Sequence, residues 1–461
     1  MKKLEDLKNI IDINLDKLDI STETKNKIIQ TSAIEKKKGK ARIFKLLSIP
    51  TVAAAVIFFM MSSNIFGSNT GRIVSAKDLM NGITPARVEA VEIRDDFIKS
   101  QADFDIELFK NSIKKGENSL ISPLSVYLAL SMTANGGEGN TLSEFESVLG
   151  KYNIDIEDIN RYNYSYMKKL NNGKSGKLHI ANSIWYALDK INVNKSFLQT
   201  NADYYSAAVY TDDFRSPKTV KNINYWVKSN TDNLIDKIVD KIDPETVMYL
   251  INAIYFEADW QEQYTSQQIR RDDFKLANGK KVSTEFMYST ENSYIKDDTA
   301  QGFIKPYKDS KYSFVALLPN EGVGIDSYVS SLTGEKFLAL IKNKTNEAVI
   351  TGLPKFKSEY NLSLVKPLKV MGLRDCFNSV AGDFSKMNSD KDIFINDVKH
   401  KTFIQVDAMG TKAGAVTIVE MNKGCALPKN RIILNRPFIY AIIDNETGLP
   451  LFIGTMNNPN N

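Results

Sequence analysis

The chain has little of what disulfide-built and catalytic proteins depend on. Two cysteines, Cys376 and Cys425, and two histidines, His179 and His400, are all it holds in 461 residues. Two cysteines cannot make a disulfide framework, and both read as free thiols. No C-x-x-C or H-E-x-x-H spacing offers a metal site, and no G-x-S-x-G presents a nucleophile on a strained turn, so neither a metal nor a cofactor is expected. The glycines of "NGGEGNT" (135 to 141) lack both the third glycine of a dinucleotide fingerprint and the G-K-[ST] of a phosphate loop, and read as a helix terminus. Paired carboxylates such as Asp95 with Asp96 and Asp272 with Asp273 sit among lysines and arginines, as solvated faces do. Nothing here indicates an enzyme.

Basic charge is also missing where a nucleic-acid surface would need it. The formal charge of +5 resides in residues 1 to 45, which hold 12 Lys/Arg against 7 Asp/Glu, while the remaining chain carries 48 of each. A neutral body excludes a basic footprint, so no nucleic-acid partner is expected.

What is present begins with an apolar run. "LLSIPTVAAAVIFFMMSSNIF", Leu46 to Phe66, extends 21 residues without a charge, enough for one transmembrane helix across a hydrocarbon core of about 30 Å. Lys36, Lys37, Lys38, Lys40, Arg42 and Lys45 precede it, and the first charge after it is Arg72. That asymmetry predicts a single-pass protein with its N-terminus in the cytoplasm and everything after Phe66 extracellular. A charged leader of 45 residues is too long for a cleaved signal peptide. Ahead of the span, Leu4, Leu7, Ile11, Leu15 and Leu18 recur at helical spacing. The organisation expected is a basic tail (1 to 45), a membrane helix (46 to 66), a tether (67 to 91) and one large folded domain (92 to 461).

Within that domain, helical periods such as "DDFIKSQADFDIELFKNSI" come early and β-rich runs such as "YSFVALLP" and "RPFIYAIID" come late, which predicts an α+β fold. One stretch is odd. "GTKAGAVTIVEMNKGCALP" (410 to 428) alternates like a strand up to Glu420, yet its first half is glycine, alanine and threonine. Lys412 and Glu420 share one parity, whereas Thr411, Ala413, Ala415, Thr417, Val419 and Met421 make an uncharged one. A resident strand would favour bulkier residues there.

"NSLISPLSVYLALSMTANGGEGNTLSEFESVLG" (118 to 150), "ANSIWY" (181 to 186), "INYWVKSNTDNLI" (223 to 235), "LINAIYFEADW" (250 to 260), "LPKF" (353 to 356), "DVKHKTFIQVDAMGTKAGA" (397 to 415) and "NRPFIYAIIDNETGLPLFIGTMNNP" (435 to 459) together resemble the serpins, collinearly and at family-like spacing. With its apolar run the chain resembles a membrane-anchored prokaryotic member. The resemblance implies three β-sheets with about nine helices, an exposed reactive loop, and a monomer whose partner is a serine protease. It also implies a suicide mechanism, in which the protease cuts the loop, forms an acyl-enzyme, and is trapped as the loop inserts into the central sheet. An inserting strand needs small or apolar inward side chains and outward charges, and the parities of 410 to 421 meet this. The alternative is a non-inhibitory serpin that keeps the fold and acts as a binding or structural protein.

Residue by residue, the resemblance implies a hinge at Gly410, Thr411, Lys412, Ala413, Gly414 and Ala415. Glycine at 410 suits a hinge because no Cβ restricts its backbone. Ser122, Ser125, Asn252 and His400 match a polar cluster beneath the central sheet, and Trp260 and Lys355 match positions near its top. The family's usual acidic residue two places before the hinge glycine is here Ala408, so Lys355 cannot form a salt bridge to it. Counting forward from Gly410 by the family's spacing puts the reactive bond between Gly424 and Cys425, and counting back from Pro437 puts it between Ala426 and Leu427. The window is therefore Gly424, Cys425, Ala426 and Leu427. Small residues there suit elastase-like or subtilisin-like proteases, a trypsin-like target would cut after Lys423, and a cysteine protease is a further partner.

Overall fold

The computed structural model describes residues 76–170, 177–188, 191–243, 245–389, 393–411 and 428–461. The apolar run at 46 to 66 and the basic tail lie outside them. Among the described residues, no helix is long and apolar enough to cross a membrane.

Three sheets organise the domain. The central sheet runs β1 (Lys77–Asp78), β4 (Ala208–Asp212), β3 (Lys177–Ala187), β5 (Met248–Asp259), β14 (Gly410–Thr411), β13 (Asp397–Val406), β12 (Phe356–Ser363). A second runs β2 (Ser119–Ile121), β17 (Pro450–Met456), β16 (Phe438–Asp444), β10 (Tyr312–Pro319), β9 (Ala300–Pro306), β8 (Tyr294–Lys296). The third is β15 (Asn430–Ile433), β11 (Val349–Pro354), β7 (Lys281–Glu291), β6 (Ile269–Lys275). Nine α-helices occur among the described residues, from α1 (Asp95–Ser112) and α2 (Pro123–Ala134) to the ninth, Val365–Met371.

The expected α+β order holds, and the reasons are local. β10, β16 and β17 are buried at every position, as their continuous apolar runs require of strands covered on both faces. In α1, Asp95 and Asp96 occupy the first turn and Lys110 the last, favourable ends for the helix dipole. The helix α2 is apolar all round and wholly buried, with Pro123 at its first turn and Ser122 as its N-cap. "NGGEGNT" spans the end of α2 and the start of the next helix, Gly139–Leu149, as expected.

The central sheet separates two apolar clusters by strand parity. On β5, Leu250, Ile254, Phe256 and Ala258 join the main core, whereas Tyr249, Ile251 and Ala253 join a smaller cluster with Trp185 and Trp226. Successive strand residues face opposite ways, so even positions of β5 look toward α2 and odd ones away. That parity decides which side chains meet at the candidate site.

One expectation changes. The tether placed at 67 to 91 includes Lys77–Asp78, which pair antiparallel with Tyr210 and Thr211 as the edge of the central sheet. Further on, the Ala86 N–H donates to Asp203 Oδ1 at 2.6 Å and the Val91 N–H to Ser165 Oγ at 2.8 Å. These are backbone attachments, which leave no side-chain period to read.

Phe256 joins the central and second sheets. It is 2% exposed and sets its ring against Tyr307, Tyr312 and Phe452 at centroid distances of 5.2, 5.4 and 6.3 Å. Phe256→Ala is expected to cost about 3–5 kcal/mol, read as a lower urea midpoint.

Candidate functional site

The site is a gap in the central sheet. β5 and β13 form a parallel ladder from Tyr249↔Asp397 to Ile254↔Thr402, and above that point β14 lies between them. Gly410 faces Asp259 and Thr411 faces Ala258 on β5, while Thr411 also faces Val406 on β13. Ala258 and Val406 both belong to the main core, so Thr411 is on the inward face, and it is fully buried. Gly410 and Thr411, where the expected hinge begins, thus pair between β5 and β13 as β14. Lys412, Ala413, Gly414, Ala415, Lys423, Gly424, Cys425, Ala426 and Leu427 lie outside the described residues.

Glycine at 410 has a steric reason in this structure. A Cβ there would stand 2.2 Å from the Ala258 carbonyl oxygen and 2.7 Å from Asp259 Cα. Close strand approach excludes a side chain there.

Trp260 grips the reversal between β13 and β14. Its backbone N–H donates to Met409 O at 2.9 Å and its indole N–H to Asp407 O at 2.8 Å, while the Tyr264 N–H donates to Ala408 O at 2.9 Å. Its ring stacks on Tyr307 at 4.6 Å, and the Tyr307 hydroxyl is 2.6 Å from Thr411 Oγ1. Tyr307 had no signal in the sequence, because its role depends on a contact between two sheets. Lys355, by contrast, is engaged by β7 of the third sheet. Its ammonium pairs with Glu285 at 3.0 Å on a partly exposed surface, worth at most about 1 kcal/mol. Ala408 instead packs against the main core.

Beneath the gap the four expected polar residues do meet. The Ser122 N–H donates to His400 Nε2 at 3.1 Å, which makes Nε2 the acceptor and leaves Nδ1 to carry the proton toward Asn252 Oδ1 at 2.5 Å. Ser125 Oγ lies 2.7 Å from Asn252 Oδ1 and 3.1 Å from the Ser122 carbonyl. Asn252 Nδ2 donates to Asn182 Oδ1 at 2.5 Å, extending the chain onto β3. Asn182 was missed, although it is the cross-strand partner of Asn252 and lies within "ANSIWY". His400 and Asn252 are register partners on the two strands that bound the gap, so parting those strands must break their bond.

This cluster is not a catalytic machine. His400 is fully buried with both ring nitrogens engaged, and burial pushes its pKa down to about 3. His179 stacks on Tyr255. Cys376 is a buried free thiol whose pKa burial raises well above the ordinary range. Cys425 lies outside the described residues.

The depressed His400 pKa has a definite pH consequence. Between about pH 6.5 and about pH 3 the unfolded chain takes up a proton that the folded chain refuses, so this stability is fully present above the first value and is lost as pH falls toward the second. The expected loss between pH 7 and pH 4 is on the order of a few kcal/mol. His400→Gln should lower the acid slope of urea stability by about one proton, and an unchanged slope would contradict this.

Comparisons with known proteins agree with the geometry. A family model described as "Serpin (serine protease inhibitor)" matches residues 99–459. The intracellular coagulation inhibitor 2 of Tachypleus tridentatus is 31% identical over 363 residues, covering 77% of this chain and 88% of that protein. The leukocyte elastase inhibitor of Equus caballus is 31% identical over 372 residues, covering 77% and 97%. Among solved structures, the thermophilic serpin tengpin in its native state is 49% identical with a TM-score of 0.80, covering 84% of this chain and all of that one, whereas tengpin in its latent state gives 0.72. With the family model spanning most of the chain and three sheets with nine helices among the described residues, this protein belongs to the serpin family.

Proposed function

We propose that the chain inhibits serine proteases as a suicide substrate. The observation that carries this reading is Thr411, fully buried on the inward parity between β5 and β13 before any cut is made. An inserting loop would therefore extend a pairing that already exists. The residues that would follow keep charge off that parity through Met421. On the far side of the loop, β15 pairs in parallel with β11 in the third sheet, so the two ends of the loop are held by different sheets.

In the proposed sequence, the protease serine attacks a carbonyl in the window Gly424 to Leu427 and the amino-terminal product remains as its ester. Insertion of residues after Thr411 pulls on that ester. Loss of one oxyanion donor slows such chemistry by about 10² to 10³, and displacement of the protease active site removes more than one contact. Small residues in the window favour elastase-like or subtilisin-like targets, and elastase inhibitors are among the similar proteins. A cut after Lys423 by a trypsin-like protease, and a cysteine protease as target, are the lesser readings.

Thr411→Arg places a charge on the inward parity, and Ala415→Arg repeats the change further along it. Both variants should be cleaved in the same window, yet give free cleaved chain in place of a complex that survives denaturing electrophoresis. Undiminished covalent complex from both, or a cut mapped by mass spectrometry outside Lys423 to Leu427, would overturn the reading. Clean cleavage of the unmodified chain by every protease in a panel would instead mark a non-inhibitory serpin.

We also propose that residues 46 to 66 anchor the domain to a membrane with the serpin outside, on the strength of the uncharged run and the lysines before it. Protease added to intact cells should then release the domain while residues 1 to 45 stay protected. A domain that becomes accessible only after lysis would reverse the topology.

A further inference from the structure

The three sheets meet beside the hinge around one buried charge. Lys305 on β9 is 2% exposed at its side chain and its ammonium contacts Glu291 Oε1, 8% exposed, at 2.8 Å. The same ammonium stands 4.5 Å from the ring centroid of Tyr264 and 5.5 Å from that of Trp260. Ser289 Oγ donates to Glu291 Oε1 at 2.5 Å, which fixes the carboxylate in turn. Burial works against the ammonium, but Tyr264 and Glu291 more than offset it and hold its pKa above that of an ordinary lysine.

Burying an ion pair is weak evidence for stabilisation, because desolvation offsets the attraction and an apolar pair of similar volume often serves as well. What this pair does have is position. The two rings it holds belong to the residues whose backbone N–H groups bind Met409 and Ala408, in the reversal from which β14 starts. Glu291 comes from the third sheet, Lys305 from the second and Trp260 follows the central strand β5. A cation over an aromatic face attracts it with definite geometry, more strongly when both are dry.

We infer that the Lys305–Glu291 pair is a positioning element for loop insertion: by clamping the Trp260 and Tyr264 rings, it fixes the 407 to 410 reversal in the geometry that an inserting strand needs. The inference rests on the inhibitory reading for its functional arm and on the uncut protein for its structural one. Insertion competes with hydrolysis of the ester, so a reversal fixed in advance favours trapping, whereas a loose one must first be ordered. Lys305 and Glu291 do not touch the protease or the scissile bond in this account. They act through Trp260 and Tyr264.

The test replaces the ion pair by an apolar one, Lys305→Met with Glu291→Leu, in the full chain. Expected are an unchanged urea midpoint, unchanged rate of loop cleavage, faster hydrogen exchange at the Trp260 and Tyr264 amides of the uncut protein, and a several-fold lower yield of covalent complex. Lys305→Arg, which keeps a cation over both rings, should recover exchange protection and yield. Tyr264→Leu removes one ring and leaves the ion pair, so it decides the matter if the double variant does not fold, with the same two losses expected at smaller size. Unchanged amide exchange and unchanged yield in whichever of these variants folds would overturn the inference. If the unmodified chain traps no protease, the inhibitory reading fails, and amide exchange alone still decides whether the pair fixes the reversal.

Discussion

Everything in this molecule answers to the ladder between β5 and β13. It closes the central sheet over the core, and its backbone groups are buried, so they need partners at every stage. Yet the same two strands must separate if a third is to lie between them. A sheet cannot simply gape, because each orphaned N–H or C=O would carry its full desolvation penalty. At one end of the ladder Gly410 and Thr411 lie between the two strands and supply partners to both. Below them the ladder stays shut.

The polar cluster beneath the ladder follows from the same constraint. An apolar seam there would pack well, but it would also resist sliding, since close-packed side chains interdigitate. Ser122, Ser125, Asn182 and Asn252 hold atoms that can donate or accept, so they can exchange partners as strands move. His400 is the exception that makes the closed state specific. Its two nitrogens are read by a backbone N–H on one side and a side-chain amide oxygen on the other, and only the neutral Nδ1–H form satisfies both.

What could be read in the sequence was what repeats or what is locally encoded. The uninterrupted apolar runs of β10 and β16, the charged ends of α1 and the proline after Ser122 all carry short-range signals. The parity of residues 410 to 421 is of the same kind, and it placed Thr411 inward with no knowledge of its neighbours. Ser122, Ser125, Asn252 and His400 were legible only through resemblance, because they come from three segments far apart in the chain. Asn182, Tyr307, Glu285 and the Lys305–Glu291 pair escaped because their meaning lies in contacts between sheets. Gly410 was singled out for its backbone freedom, and its close approach to β5 was not visible. A sequence shows that a glycine lacks a side chain, but not which neighbour requires the lack.

The antiparallel placement of β14 between β5 and β13 has a mechanical consequence. Any further residue that entered would exchange a slanted parallel connection for two antiparallel ones, so the gain in ladder would be tied to distance travelled rather than to any single contact. β5 is 12 residues long, and a strand rises about 3.3 Å per residue, which gives the track a length of roughly 40 Å. Whatever is covalently attached to the cut end of the loop would be carried nearly that far, about the width of a small folded domain, in one direction and with no external fuel.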